Sequence, residues 1–242
     1  MKPAPLPMKP AEVVADGLYE WLVEHGQDEN ILILGGDSTN SMSGWKGGSI
    51  ALLEKKLNRR TFWVICMIHI NELPLRHLVE TLDGKTSSKG GFMGPIGRKL
   101  PEVNLMTKNS EFPPIPFLEP LSDLPEDIVK NISTDASLSY QLVKSIAEGK
   151  LPAKLAGMKV AARYHSRWLT TGMSLLALWT TDHGFSGEVM RKFELIVNFI
   201  VQVYFPLFFE NKVNNSIVEA PYHVLKLLRL LKLHDPEVQE AV

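Results

Sequence analysis

Between Ile31 and Leu82 the sequence alternates in a way that few folds accommodate. An apolar run, Ile31-Leu32-Ile33-Leu34, ends in Gly35-Gly36-Asp37-Ser38-Thr39-Asn40. A Trp45-Lys46-Gly47-Gly48 segment then leads into a helical pattern at 49–57, opened by its glycines and closed near Asn58. The first run is short, continuous and apolar, and reads as a strand buried on both faces. The next, from Thr61 to Ile70, is rich in β-branched and aromatic residues and reads as a second strand, with Cys66-x-x-His69 near its end. Strands alternating with helices pair in parallel through right-handed crossovers. Segments 31–34 and 62–68 are therefore expected to lie parallel and adjacent, with helix 49–57 crossing between them.

Upstream, Val13, Val14, Gly17, Leu18, Trp21 and Leu22 form a helical stripe over 11–25 with acids opposite it. Downstream, 71–82 reads as a helix with Pro74 in its first turn and Asp83-Gly84 stopping it. Residues 85–125, with Pro113-Pro114 and Pro116, read as a long irregular connection. Helical patterns follow near 137–148, 170–181, 187–204 and 222–233. The expected fold class is α/β followed by all-α. Its parts are a loose lead-in at 1–10, an α/β domain at 11–84, a Gly/Pro-rich connection at 85–125 and a helical region at 126–242. The lead-in, with four prolines, fits neither a signal peptide nor a helix, and its natural beginning is expected to lie elsewhere.

Bulk properties narrow the function classes. The formal net charge is -1, so no global basic field advertises nucleic-acid binding, and any such contact must come from local patches. The single cysteine, Cys66, excludes an internal disulfide and favours a reducing, intracellular compartment. No run approaches the roughly 18 uninterrupted apolar residues of a membrane span, so no membrane partner is expected.

Asp37 ends the first strand, where ligands of parallel sheets bind, beside the hydroxyls and amide of Ser38, Thr39 and Asn40. Gly44, Gly47 and Gly48 allow close backbone approach nearby. The residue could contact a metal or phosphate, or could simply form a turn. Cys66-x-x-His69 is half of a zinc pattern without a second pair, so no zinc is expected, and the pair reads as a buried thiol plus a histidine at the strand exit. Asp83-Gly84-Lys85-Thr86 lacks the upstream glycine of a phosphate loop. Arg167 and Trp168 suit a phosphate and an unstacked base, although a Trp at a helix start also serves as a core anchor. The cations Lys226, Arg229 and Lys232 among the leucines of 222–233 read as the solvated face of a packed helix.

These motifs together resemble part of the ribonuclease-H-like core of hAT-type DNA transposases and of uncharacterised proteins derived from such elements. The carriers are Asp37 with Asn40 after the first strand, Cys66, His69 and Asn71 after the second, and Ser166-Arg167-Trp168 opening a helical insertion. The resemblance spans about 11–181. It implies a partial ribonuclease-H-like parallel sheet with flanking helices, then a helical region. In such enzymes three carboxylates hold two metal ions for in-line attack on phosphodiesters. Asp37 would correspond to the second carboxylate and would hold Mg²⁺ weakly. The first belongs to an earlier strand, for which the residues before Ile31 leave no room. The third has no recognisable counterpart, although Glu194, Glu210 and Glu219 lie in the right half.

The resemblance therefore implies a transposase-derived protein or fragment, inactive as this chain, nuclear rather than cytoplasmic. Weak DNA binding through Arg163, Arg167 and Trp168 is expected to remain. A longer parent chain or a protein partner would cover the sheet edge left bare. Two alternatives stand beside it: a small metal-dependent nuclease using Asp37 with a nearby acid such as Glu72, and a non-catalytic protein-interaction module.

Overall fold

The computed structural model describes residues 9–87, 91–161, 167–213 and 220–242, and the chain divides into two units, Met1–Ile70 and Asn71–Val242. The first unit begins with α1 (Pro10–Glu24), for which Pro10 supplies a ready-made first-turn φ, while the Lys9 amide donates to Glu12 Oε2 at 3.1 Å. Then come β1 (Ile33–Gly36), the short α2 (Asn40–Ser43), α3 (Ser49–Leu57) and β2 (Phe62–Ile65). The strands are parallel, in register from Ile33↔Phe62 to Gly36↔Ile65, with α3 in the crossover. The α/β order and the helix bounds agree with the sequence reading; the strand bounds differ. β1 starts later than expected, and β2 ends at Ile65 because the chain turns into α4 (Met67–Leu82).

Two expectations fail in this unit. The large apolar stripe of α1 is not its buried face: Val14, Leu18 and Trp21 are exposed, and Ala11, Ala15 and Leu22 are buried. Ala15 and Leu22 cluster with Leu53 of α3, with Tyr19, Ile31, Leu34, Leu52 and Leu57 packed around them. Small residues let the two helix axes approach closely, and Lys56–Asp16 at 2.6 Å ties α3 to α1 at the edge. Nor is β1 buried on both faces. It has no fully buried residue; Ile33 is 56% exposed, and its partner Phe62 is 75% exposed.

Glu54 of α3 is buried and sets the turn into β2. Its carboxylate accepts from Thr61 N (2.7 Å), Thr61 Oγ1 (3.0 Å), Trp63 Nε1 (2.9 Å) and Arg60 Nη1 (3.1 Å). Burial opposes the charge, but these donors outweigh it and hold the group below its ordinary pKa.

Helix α4 starts earlier than the sequence suggested. The Cys66 amide makes the last ladder bond, to Gly36 O at 2.9 Å, and the Cys66 carbonyl already accepts the helical bond from Ile70 N at 3.0 Å. Pro74 therefore lies inside the helix and not in its first turn, with no N–H to offer the carbonyl of Ile70. The divide between the units falls at Ile70, not at Gly84 as the composition suggested, because Leu75, Leu78, Val79 and Leu82 are core residues of the second unit.

In that unit, β3 (Thr86–Ser87) and β4 (Gly91–Phe92) form a small antiparallel pair, followed by a 3-10 helix (Gly97–Glu102). Part of the stretch read as irregular connection is thus folded, with Phe92, Ile96, Leu100, Val103 and Ile115 buried. Asp83 organises it: Ile96 N and Gly97 N donate to its carboxylate at 2.8 and 2.7 Å. A Cβ on Gly94 would run into the Asp83 carbonyl, so that position demands glycine.

The helices α5 (Glu126–Asn131), α6 (Thr134–Glu148), α7 (Ala153–Ala156) and α8 (Arg167–Trp179) follow, with α8 packed against α6. Next, α9 (Gly187–Phe199) passes through a π-helical turn (Ile200–Tyr204) into α10 (Phe205–Val213), and the chain ends in α11 (Ala220–Leu231) and α12 (Pro236–Ala241). The sequence pattern was read as stopping near Tyr204, but the helix runs on. Pro206 would press its ring against the carbonyl four residues back, and the wider π turn just before it relieves that clash. The resulting 27-residue helix, Gly187–Val213, is long and apolar enough to cross a membrane; 72% of its apolar window is buried in the protein. In α11, Leu227, Leu230 and Leu231 are buried and Arg229 and Lys232 are exposed, as read. Lys226 instead turns to Glu210 (2.6 Å) and Glu119 (3.1 Å).

Because four donors at the α3–β2 turn converge on one buried carboxylate, Glu54→Ala should destabilise the first unit by about 3 kcal/mol. Urea unfolding followed by tryptophan fluorescence reads this; a loss below about 1 kcal/mol would show that the donors find other acceptors.

Candidate functional site

The carboxyl ends of β1 and β2 carry the residues singled out in the sequence. Asp37 follows the last residue of β1, and Cys66 follows its register partner in β2. Thr39 N and Thr39 Oγ1 both donate to Asp37 Oδ1, at 2.9 and 2.5 Å, closing an Asx turn that feeds α2. The Thr39 hydroxyl holds the carboxylate below its ordinary pKa, against a small cost of burial, and His69 adds electrostatic support. Thr39 Oγ1 in turn lies 3.1 Å from Ser41 Oγ, and Ser49 Oγ donates to Ser41 O at 3.0 Å, which locks the loop to the start of α3. Ser38 Oγ is buried with no hydrogen-bond partner among the described residues. Asn40 is exposed at the start of α2.

Two of the three loop glycines are required by the loop itself. A Cβ at Gly44 would meet Asn40 O at 2.3 Å, and one at Gly48 would meet Gly44 N at 2.4 Å; Gly47 has open space around it. The close approach is of backbone to its own backbone.

Asp37 is thus both a turn former and a charged group at the sheet end. A two-metal centre needs carboxylates converging on ions about 4 Å apart. Among the described residues no three His, Cys, Asp or Glu side chains gather as a metal site, and one Asp37 oxygen is already committed to Thr39. Asp37 by itself, with one oxygen engaged by Thr39, does not supply the converging carboxylates of such a centre. Cys66 is exposed, not the buried thiol expected, because the strand ends before it and the helix begins after it. His69 is half-buried.

The remaining motif residues lie in the second unit. Asn71 is buried and donates from Nδ2 to Tyr204 O at 3.0 Å, a structural clamp on the π turn. Trp168 is only 5% exposed and stands edge-on to Phe92 with ring centroids 6.2 Å apart. A buried indole has no face for a base, which corrects its reading as a nucleic-acid contact: it is the core anchor. Arg163 lies outside the described residues; Arg167 is the first residue of α8.

One cluster escaped the sequence reading. Glu72, next to Asn71, is half-buried, and burial pushes its carboxyl up to about 7. Tyr204, at the π turn, is fully buried; burial and then the Glu72 charge raise its hydroxyl well above the ordinary value. Its Oη has no hydrogen-bond partner among the described residues. Gly172 of α8 makes the room, since a Cβ there would lie 3.2 Å from the Tyr204 ring. Perturbed acids and π turns both gather at functional sites. The only signal in the sequence was an acid directly after Asn71, which was weighed solely as a companion for Asp37. Asp37 and Glu72 fall in different units.

No protein-family profile, no curated protein and no solved structure matches this chain.

A carboxyl raised by burial favours the folded state while it is protonated. The Glu72 contribution is full below the ordinary glutamate value near 4.5 and is lost as pH climbs through about 7. Glu72→Gln should therefore flatten stability between pH 5 and 8, raising it at pH 8 by about 2–3 kcal/mol. Denaturation at the two pH values checks this, and an unchanged pH dependence would refute it.

Proposed function

We propose that this chain is a transposase-derived protein or fragment with a degenerate ribonuclease-H-like core, catalytically inactive by itself and retaining weak DNA affinity in a nuclear setting. The observation that carries the reading is the β1–α3–β2 crossover, with Asp37 at the carboxyl end of one parallel strand and Cys66-x-x-His69 following the other. Motif order and parallel strand direction support the reading, while the Asp37–Asn40 spacing is one residue tighter than the family pattern.

The exposure of the sheet bears on the longer parent chain or protein partner that the resemblance implies. Parallel strands are ordinarily covered on both faces, yet Leu32, Ile33 and Phe62 are exposed. A longer parent chain or a protein partner that adds strands or a covering element would bury them. The same exposure favours the second reading, a non-catalytic interaction module, in which the covering element is the whole function.

Incubation of the purified chain with supercoiled plasmid and Mg²⁺ or Mn²⁺ should leave the plasmid intact. Metal-dependent nicking that disappears in Asp37→Asn would sink the inactive reading and promote the nuclease. Weak, salt-sensitive retention of labelled DNA in a gel assay is expected under the same conditions.

A further inference from the structure

The most exposed tryptophan is Trp45, in the loop between α2 and α3, at 77%. It lines a shallow cleft of about 340 Å³ together with Glu54, Lys55, Asn58, Arg59 and Arg60. Lys46 Nζ lies 4.4 Å from the Trp45 ring centroid and occupies one face of the indole. The Lys55 ammonium is drawn toward the same loop, donating to Lys46 O at 3.2 Å. Arg60 is 89% exposed, and the one acid in the wall, Glu54, is buried and saturated by four donors. Arg59 anchors one end of its guanidinium on Asp28 O at 2.8 Å, while its Nε is buried without an acceptor among the described residues. In a chain of net charge -1, four cations around an open indole form a local concentration of positive charge.

We infer that this cleft binds a single nucleic-acid strand, with a base stacked on Trp45 and phosphates held by Lys55, Arg59 and Arg60. Each part has a physical reason. Indole faces bind any base by stacking, and planar guanidinium groups match phosphate oxygens in pairs. Lys46 behind the ring holds the loop's indole in place by cation–π attraction. A duplex keeps its base faces covered, so an indole standing free of the surface selects an unpaired strand. An acidic peptide would meet the same cations but would leave the indole unused. The choice of nucleic acid rests on the function proposed above; the existence of an anion-and-ring site does not. The cleft also replaces Trp168, whose burial removes it from contact with any strand.

The test is fluorescence anisotropy of an end-labelled oligothymidylate with the full chain, at salt between about 50 and about 200 mM. Trp45→Ala is expected to weaken binding about tenfold, and Trp45→Phe to retain most of it. Lys55→Ala with Arg60→Ala should lower the salt slope by roughly 1.4, from two lost phosphate contacts. Thermal melts should be unchanged in the two Trp45 variants, whose side chain is exposed, and modestly lowered in the double variant, because Arg60 also donates to the buried Glu54. A labelled duplex of the same length should bind more weakly. If the chain binds the oligonucleotide and the variants bind it equally well, the cleft assignment is wrong and the DNA-binding reading survives. If the chain binds no oligonucleotide, both fail. Polyglutamate displacing the oligonucleotide at equal charge, with no effect of Trp45→Ala, would identify an acidic peptide as the ligand and overturn the proposal.

Discussion

The arrangement of the first unit depends on one buried carboxylate. Glu54 collects the Thr61 amide and hydroxyl and the Trp63 indole, and so decides where the chain leaves α3 and at which residue β2 begins. Because side chains alternate along a strand, an entry shifted by one residue would turn every β2 side chain to the other face. The register Ile33↔Phe62 follows from that entry point, and with it the placement of Cys66 next to the end of β1. The Glu54 bonds also fix Arg60 at the rim of the Trp45 cleft. Structural order at the sheet end and positive charge at the cleft thus share one origin.

The second unit is organised differently. Its core is helical and aromatic, with Phe193, Phe199, Tyr204, Phe205 and Phe209 fully buried, and its irregularities are local answers to single residues. Pro206 calls for a π turn, the π turn leaves a carbonyl for Asn71, and Gly172 admits the Tyr204 ring. Glu72 stands at the end of that series, in surroundings that hold it near neutrality between its two protonation states. Asp83 solves a related problem at the β4 end, gathering two backbone amides that would otherwise be buried unpaired.

What could be read from residues alone was set by strong local signals. Alternation of apolar strands with a capped helix settled parallel pairing, and α3 needed nothing beyond Gly48 before it and Asn58 after it. The face of α1 could not be read, because Ala11 and Ala15 carry a weaker apolar signal than Val14, Leu18 and Trp21. It is shape at the α3 contact, not hydrophobicity, that decides. The beginning of α4 was hidden by Pro74, which mimics a helix start while sitting well inside one. The folded parts of 85–125 were hidden by glycines that read as looseness, whereas Gly94 is there to let the backbone touch Asp83. For the candidate site, Asp37, Cys66 and His69 were visible as a motif, but the Thr39 grip on Asp37 and the exposure of Cys66 follow from geometry. The pairing of Trp168 with Phe92 joins residues far apart in the chain, and no local pattern announces it.

The uncovered sheet has a consequence for how the molecule behaves in company. Leu32, Ile33 and Phe62 leave apolar area open on a two-stranded sheet, and a strand edge offers unpaired amides and carbonyls beside them. Such a surface is satisfied by whichever strand or apolar face arrives first. Copies of the chain would then compete for it with any other strand or apolar face. On the reading proposed above, the order in which the chain is made and meets a covering element would matter as much as its equilibrium stability, because a surface filled by its own kind is no longer open to anything else.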